Sequence, residues 1–533
     1  VKPPKMNPLK LVLVFLCFTF SFNCLCQNST ASIKVTVTDQ NTGKPTAVRA
    51  KITNSDGYVA GIPKEAISIM YGRDDKAERY GFQPDSTYYI DGHFNLDLRP
   101  GKYKISLSKG FEYLDQAHTI EVKEGGGNAF SFEMKRWVKM SDLGWYSADD
   151  HIHIRRSPRE NPLILKWVEA EGLNVGILLQ MGDFWATYFS QYAFGEDGTY
   201  GQNESLLSTG QEDPRTHQIG HTIALVADDF VRQQKDYYEY DKIFDKVHEL
   251  NGITGYAHQG MSFNGSRGMT LDVLSGKVDF LELLQFCVNG GPLLTQNYYH
   301  FLDLGYKLTA TAGSDFPWCG LGPSFGTEDP SWNARIGNVR FYTWIDGKFE
   351  YASWKKNLKE GHTFVSSGPM IVFSIDDHLP GDEIKLSAPK KVSIKAKALG
   401  NKDQIPLSKL EIIAHGKVLK EITPNGDVQS LENMELNFDL EVEKGTWIAA
   451  RCFAGPNQAA HTTPIYITVN DGGFHNPETF NDYLSLNEKY LDELEAELEQ
   501  PNDRVDMRAW WYRDPLQKRI AETRKIIETL RKK

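Results

Sequence analysis

Trp145-Tyr146-Ser147-Ala148-Asp149-Asp150-His151-Ile152-His153-Ile154 is the stretch on which the fold turns. Alternate residues of a strand share a face, so His151 and His153 point to one side while Ile152 and Ile154 point to the other. Two imidazoles so placed are nitrogen ligands for zinc, manganese or iron. The same pair also fits an ordinary core strand, so its meaning depends on which other ligand types the chain supplies.

Moving outward from this pair, strand patterns alternate with helix patterns. Strands are expected at Ala148–Ile154, Asn174–Leu179, His221–Val226, Ile253–His258, Phe280–Phe286 and Lys307–Ala312, and helices at Asn161–Glu171, Tyr238–Leu250 and Tyr298–Leu304. The alternation predicts parallel strands with crossover helices. In a barrel of that kind the active site lies at the carboxyl ends of the strands. Ligand types gather there: Glu212 and His221 within Gly210–His221, His258 after Gly255-Tyr256-Ala257, and Asp315 after Ala312-Gly313-Ser314. The order is HxH, Glu, His, His, Asp, with nitrogen and oxygen donors for a pair of divalent ions, zinc first and manganese or iron behind it. Two cations sharing a carboxylate would activate water near neutral pH and polarise a carbonyl or phosphoryl oxygen.

The flanks read as β. From Ala31 to about Phe132, alternation at Ile33–Val37 and Tyr103–Leu107 with turns at Asn41-Thr42-Gly43 and Arg99-Pro100-Gly101 predicts a small sandwich similar to the carboxypeptidase-regulatory-like fold. A second sandwich is expected beyond Gly368-Pro369, with strands at Met370–Ile375, Lys391–Ala398, Leu410–Ala414, Glu435–Leu440, Trp447–Cys452 and Ile465–Val469. The tail reads as two helices, one with Leu484, Leu491, Leu494 and Leu498 on a face, the other with Leu516, Ile520, Ile527 and Leu530 after Pro515. The expected organisation is 1–26 export signal, 27–138 sandwich, 139–368 barrel, 369–471 sandwich and 472–533 helical tail.

Composition bounds the partners. The chain has 533 residues, 40% hydrophobic and 24% charged, with a formal net charge of −11. That balance disfavours nucleic acid or an anionic membrane surface, both of which reward clustered Lys and Arg. A small-molecule, glycan or cell-envelope substrate fits better. Residues 1–26 have the pattern of an export signal, with Lys5 and Lys10 before the apolar run Leu11–Phe22, which is too short to span a bilayer. Cleavage leaving Gln27 first and acylation of Cys24 or Cys26 are both open, so a periplasmic or extracellular location is expected, free or lipid-anchored. Cys287, Cys319 and Cys452 are too few for a disulfide framework.

The residues from Tyr146 to His153, Glu169-Ala170-Glu171-Gly172-Leu173-Asn174-Val175, Glu212 to His221, Asn297 to Lys307, Ala312-Gly313-Ser314-Asp315 and Gly361-His362-Thr363-Phe364-Val365-Ser366-Ser367-Gly368-Pro369 together resemble the CehA/McbA metallohydrolases, relatives of the polymerase-and-histidinol-phosphatase (PHP) domain. The resemblance covers roughly residues 140–470. It implies a distorted PHP/TIM-like β/α barrel, flanked here by two β-sandwiches and a helical tail, that hydrolyses esters, carbamates or phosphoesters. On this resemblance His151, His153 and Asp315 would hold one metal and His221 and His258 the other. Glu212 would bridge them, and Asp149 would orient a histidine. Two departures argue for two ions rather than three: Gln180-Met181-Gly182-Asp183 replaces an expected Asp-His pair, and Pro317 stands where a histidine is expected.

Other candidates carry plainer alternatives. Arg215 and His217 lie between two proposed ligands and suit either substrate contact or a loop role. Asp183 is a displaced ligand or a turn residue. Gly322-Pro323-Ser324-Phe325-Gly326 matches a nucleophile-elbow pattern but lacks the strand before and helix after it, so it reads as a loop. His248, His300 and His362 read as structural. Trp185, Tyr188, Phe189, Tyr192 and Phe194 form either a pocket wall or packing. The competing function class is a non-catalytic glycan- or envelope-binding protein with a degenerate metal barrel.

Overall fold

The computed structural model describes residues 30–71, 78–80, 83, 85–202, 204–260, 264–285, 292–317, 334–500 and 509–532. The expectations for residues 1–26, for Cys287 and Cys319, and for Gly322–Gly326 fall outside these. Among the described residues no helix is long and apolar enough to cross a membrane.

Residues 31–134 form two sheets face to face. Ala31–Asp39, His93–Leu98 and Ala129–Met134 make one, and Ala47–Asn54, Tyr88–Asp91, Gly101–Ser108 and Gln116–Val122 the other. Their inward residues, Ile33, Val35 and Val37 against Ile52, Ile105 and Leu107, form a separate core, as the period-two alternation requires. The sandwich is docked rather than tethered. Arg49 Nε and Tyr89 OH reach Glu171 Oε1 at 2.8 and 2.7 Å, Trp167 Nε1 donates to the Ile67 carbonyl at 2.8 Å, and the buried Lys109 ammonium bridges the carbonyls of Ala47 and Glu169.

The central element is a curled sheet built from β1 (Trp145–Ile152), β2 (Val175–Gly182), β3 (Ser205–Glu212), β4 (Gly220–Leu225), β5 (Ile253–Tyr256), β6 (Phe280–Gln285), β7 (Thr309–Gly313), β8 (Arg340–Trp344) and β9 (Thr363–Ser366). Pairs β1–β2, β2–β3, β5–β6 and β6–β7 are parallel. Pairs β3–β4, β4–β5, β1–β8 and β8–β9 are antiparallel. The sheet curls until Phe316, just past β7, bridges to Ile152 at the end of β1, and His153 N–H donates to the Phe316 carbonyl at 2.7 Å. The carboxyl ends of the first and last of these strands are thereby stitched together.

The wholly parallel pattern expected from the sequence is therefore corrected at β4, which runs opposite to both neighbours. The connection Asp213–Ile219 is shorter than the dozen or so residues that a parallel crossover needs, so the chain can only turn back. Strand β3 was also unexpected: Ser205-Leu206-Leu207-Ser208-Thr209-Gly210-Gln211-Glu212 has no alternation because most of it is buried on both faces.

The helices α1 (Asn161–Ala170), α2 (Tyr240–Glu249), α3 (Gly265–Leu274), α4 (Gln296–Asp303) and α5 (Tyr351–Lys359) accompany the strands. The second sandwich begins at Met370. Met370–Ile375, Lys390–Leu399 and Asn433–Val442 form one sheet. The facing strands continue the curled sheet itself, because Phe364 of β9 pairs with Thr462. The tail helices α6 (Phe480–Glu499) and α7 (Ala509–Leu530) bury the expected Leu484, Leu491, Leu494 and Leu498, and Leu516, Ile520 and Ile527, in the same core as the curled sheet. Arg519 of α7 is buried against Asp272 of α3, with Asp241 at 3.1 Å. The protein is thus a multidomain, mostly β molecule around one large curled sheet.

Candidate metal centre

Six side chains expected from the sequence come together where β1, β3, β4, β5 and β7 end or begin. His151 Nε2 and His153 Nε2 lie 3.2 Å apart, and each is 3.3 Å from Asp315 Oδ1. Glu212 Oε2 is 3.3 Å from His153 Nε2 and 3.9 Å from His151 Nε2, while Glu212 Oε1 is 3.0 Å from His221 Nδ1. Asp315 Oδ2 is 3.4 Å from His258 Nε2. All six residues are buried.

These spacings suit a shared cation. Ligand atoms about 2.1 Å from one ion in tetrahedral or octahedral arrangement stand roughly 3.0–3.4 Å from each other. The triad His151, His153 and Asp315 has that spacing, and His151, Glu212 and His258 form a second, looser group. Glu212 Oε2 is buried with no hydrogen-bond partner among the described residues, a costly state for a carboxylate oxygen. The two Nε2 atoms facing each other at 3.2 Å likewise make better ligands than neighbours. The donor set therefore fits divalent metal. Both carboxylates offer one oxygen to each side, so Asp315 as well as Glu212 has the form of a bridge.

The backbone aims these groups. His258 and Asp315 have φ of 54° each, a left-handed conformation that non-glycine residues adopt only when the surroundings enforce it. Asp149 does the enforcing around Asp315. Its Oδ1 accepts the amides of His151 and Ser314, both at 3.0 Å, and its Oδ2 accepts the Gly337 amide at 2.7 Å. Asp149 thus fixes main chain instead of orienting an imidazole ring, a correction to the sequence-based expectation. Gly313 is needed for close approach, since a side chain there would collide with His151 Cβ and Asp150 Oδ1.

The ring of His151 is oriented by a residue that the sequence did not single out. Glu282 Oε1 accepts from His151 Nδ1 at 2.8 Å, leaving Nε2 as the free lone pair, and Glu282 Oε2 accepts the His258 amide at 2.8 Å. Gln285 Nε2 donates to Asp315 Oδ2 at 2.8 Å. Both come from Phe280-Leu281-Glu282-Leu283-Leu284-Gln285, where a carboxylate and an amide inside an apolar strand were the available clue.

Electrostatics follow the same layout. Burial raises the Glu212 carboxyl, but the Arg215 guanidinium, with Nε 3.0 Å from Oε1, and three imidazoles hold it well below the usual range. Burial and then Arg215 push His221 down to about 4, so it is neutral and able to ligate at neutral pH. Asp315 is held low despite burial, chiefly by His151. Behind β1, burial and then the nearby Glu282 push Asp150 well up.

The remaining candidates separate. Arg215 stands at the rim, in contact with Glu212 and partly exposed. His217 is exposed in the turn before β4, where its carbonyl accepts from Asn264. Asp183 is a turn residue whose Oδ1 accepts the amides of Trp185 and Ala186 and whose Oδ2 accepts from Tyr188 OH. Phe189 lies against His153 with ring centroids 5.4 Å apart, forming a wall of the site, whereas Phe194 stacks on Phe230. His248 pairs with Asp279, His362 with Asp382, and His300 stacks between Phe301 and Tyr483. The largest surface cavities, between α4 and the tail helices and beneath the first sandwich, are lined by none of the six ligands.

No family model matches the chain, and no curated protein is significantly similar to it. Among solved structures, fibronectin(III)-like modules of Clostridium thermocellum CbhA align over 19% of this chain and 94% of theirs at 13% identity and TM-score 0.13. A β-glucuronidase of Bacteroides uniformis aligns over 83% of this chain and 58% of its own at 10% identity and TM-score 0.18. A glycosyl hydrolase family 2 member from Bacteroides cellulosilyticus aligns over 83% and 59% at 9% identity and TM-score 0.17. The chain spans less than two thirds of the length of these last two, and the scores are too low to bear on fold or function.

Proposed function

We propose that this protein is a metal-dependent hydrolase of the PHP-like, CehA/McbA type, holding two divalent ions and cleaving an ester, carbamate or phosphoester. The observation that carries the proposal is the convergence of four imidazoles and two carboxylates, each carboxylate offering one oxygen to either side. Ions held there supply Lewis acidity toward water and toward a carbonyl or phosphoryl oxygen. Six ligands for two ions leave coordination positions open, unlike a closed four-ligand structural site.

The chain's own groups have defined work. His151, His153 and Asp315 hold one position, His221 and His258 the other, and Glu212 joins them. Glu282 fixes the tautomer of His151, and Gln285 fixes the carboxylate plane of Asp315. Arg215, cationic and at the rim, faces the place where negative charge grows on a substrate oxygen and lowers its energy. Phe189 keeps water from the face of His153, and the dry surroundings strengthen each of these interactions. The overall acidity of the chain and the sandwich on each side accord with a small-molecule, glycan or cell-envelope substrate outside the cytoplasm.

The test is elemental analysis joined to a panel of chromogenic carboxylic, carbamic and phosphoric esters. Wild type is expected to carry about two ions per chain and to turn over at least one ester class, and His151→Ala and Asp315→Ala to lose metal and turnover together. Full metal with no turnover across the panel, or full activity in either variant, would overturn the proposal.

A further inference from the structure

Arg156 is the least compensated charge near the cluster. It is 3% exposed, its Nη2 donates to the Gly198 carbonyl, and its Nε and Nη1 find no acceptor among the described residues. The groups acting on it electrostatically are the phenols of Tyr192 and Tyr351, not a carboxylate, and burial draws its pKa down to about 10. A guanidinium buried this way is normally paired. Beside it lies a second unpartnered donor, the buried hydroxyl of Thr209, close enough to Gly198 that a side chain at that glycine would strike it.

The place of this pair relative to the cluster is fixed by backbone contacts. The Arg156 amide donates to the Ser190 carbonyl at 3.0 Å, and the preceding Phe189 is the ring packed on His153. Gln191 locks that segment, with its side chain donating to the Ile154 carbonyl at 2.8 Å and its amide to Gln180 Oε1 at 3.1 Å. Thr209 sits opposite Leu178 in the β2–β3 register, one residue before Leu179, whose carbonyl is 3.4 Å from His153 Nδ1. The Tyr192 ring covers the guanidinium at 4.9 Å and is itself partly exposed, so it stands between Arg156 and solvent.

We propose that Arg156 and Thr209 form a buried oxyanion subsite beside the metal cluster, and that it takes a carboxylate, sulfate or phosphate group of the molecule on which the cluster acts. The guanidinium edge bearing Nε and Nη1 is the bidentate fork that matches two oxygens of such a group, and the Thr209 hydroxyl supplies a further donor. The existence of the subsite stands on these contacts alone, whereas its use by the substrate rests on the hydrolase reading.

Two arms test it. The first uses chelator-treated, metal-free protein with sodium sulfate as the probe, against sodium chloride at equal ionic strength, reading thermal midpoint and calorimetric binding. Wild type is expected to show saturable sulfate binding, Thr209→Val at least a fivefold weaker affinity, and Arg156→Met none. No saturable binding by wild type would mean that water alone serves Arg156. Unchanged binding in Thr209→Val, a near-isosteric variant that keeps the test valid if Arg156→Met does not fold, would equally overturn the subsite. The second arm uses metal-loaded protein and two aryl esters that differ by one carboxylate. Thr209→Val is expected to raise the ratio of their KM values, anionic over neutral, at least fivefold. An unchanged ratio with sulfate binding intact would refute the substrate assignment and leave a site for free inorganic anions, while absence of turnover in wild type would count against the hydrolase reading and not against the subsite.

Discussion

Replacing Glu282 by Gln isolates the contribution of the group behind the ligands. The native carboxylate accepts twice, from His151 Nδ1 and from the His258 amide, both at 2.8 Å and both in a fully buried setting. A glutamine keeps the shape but has one acceptor oxygen and one NH2. If the oxygen keeps His151, two donors face each other at His258 and the left-handed backbone there loses its tether. If the NH2 faces His151, Nδ1 must accept, Nε2 carries the proton, and the ligand lone pair is gone. Either arrangement should weaken metal binding by about 10- to 100-fold, or roughly 1.4–2.7 kcal/mol. The metal-free fold should change less than the roughly 1–3 kcal/mol usual for an orphaned buried donor, because the substitution also removes a negative charge that raises the neighbouring Asp150 carboxyl. A chelator competition with zinc measures the first quantity and urea unfolding of the apo protein the second. Metal affinity within twofold of wild type would refute the account of how His151 is held.

Three further outcomes are expected. Gly313→Ala forces a methyl group into His151 Cβ and Asp150 Oδ1 and should cost about 1–3 kcal/mol of apo stability by overpacking, with a fall in metal occupancy; an unchanged melt and metal content would contradict the close approach of β7 to β1. Arg519→Met leaves Asp272 buried with Tyr256 as its remaining neutral partner and should destabilise by about 3–5 kcal/mol in urea unfolding; a loss under about 1 kcal/mol would mean that the tail helices are not seated on α3 as described. Burial depresses His300 to about 4 and His461 to about 3, so each is neutral when folded and protonated more readily when unfolded, near 6.5. Their stabilisation is complete above pH 6.5 and is lost as pH falls toward 4 and 3. For His300 alone the loss at pH 5 is about 2 kcal/mol, and His300→Phe, which keeps the stack on Phe301 and Tyr483, should remove that share of the difference between pH 7 and pH 5 urea midpoints.

How far the sequence could be read depends on what each residue advertises. His151 and His153 are legible because a strand period places both on one face. The sandwich strands are legible because one face of each sheet is wet, and the alternation in Ala31–Asp39 survives into its burial pattern. Strand β3 carries Glu212 yet advertises nothing, since a strand covered on both faces has no reason to alternate. The direction of β4 was hidden for a related reason: periodicity reports a strand but not which way it runs, and only the short connection Asp213–Ile219 excluded a parallel crossover. The tail helices showed their apolar faces plainly, but Arg519 gave no sign that it would be buried against Asp272.

The site is similarly divided between groups that bind and groups that aim. Ligand types could be named from chemistry, because few side chains suit a divalent ion. Glu282, Gln285 and the true task of Asp149 could not, because each acts through a neighbour that only the curled sheet supplies: Glu282 through β1, Gln285 through the turn after β7, and Asp149 through Ser314 and Gly337, far along the chain. The convergence itself follows from closure. His153 donates its amide to the Phe316 carbonyl, so the step that joins β7 to β1 is the same step that brings Asp315 to His151 and His153. Fold and site therefore stand on one contact, and a substitution that opens this seam should disperse the ligands before it unfolds the chain.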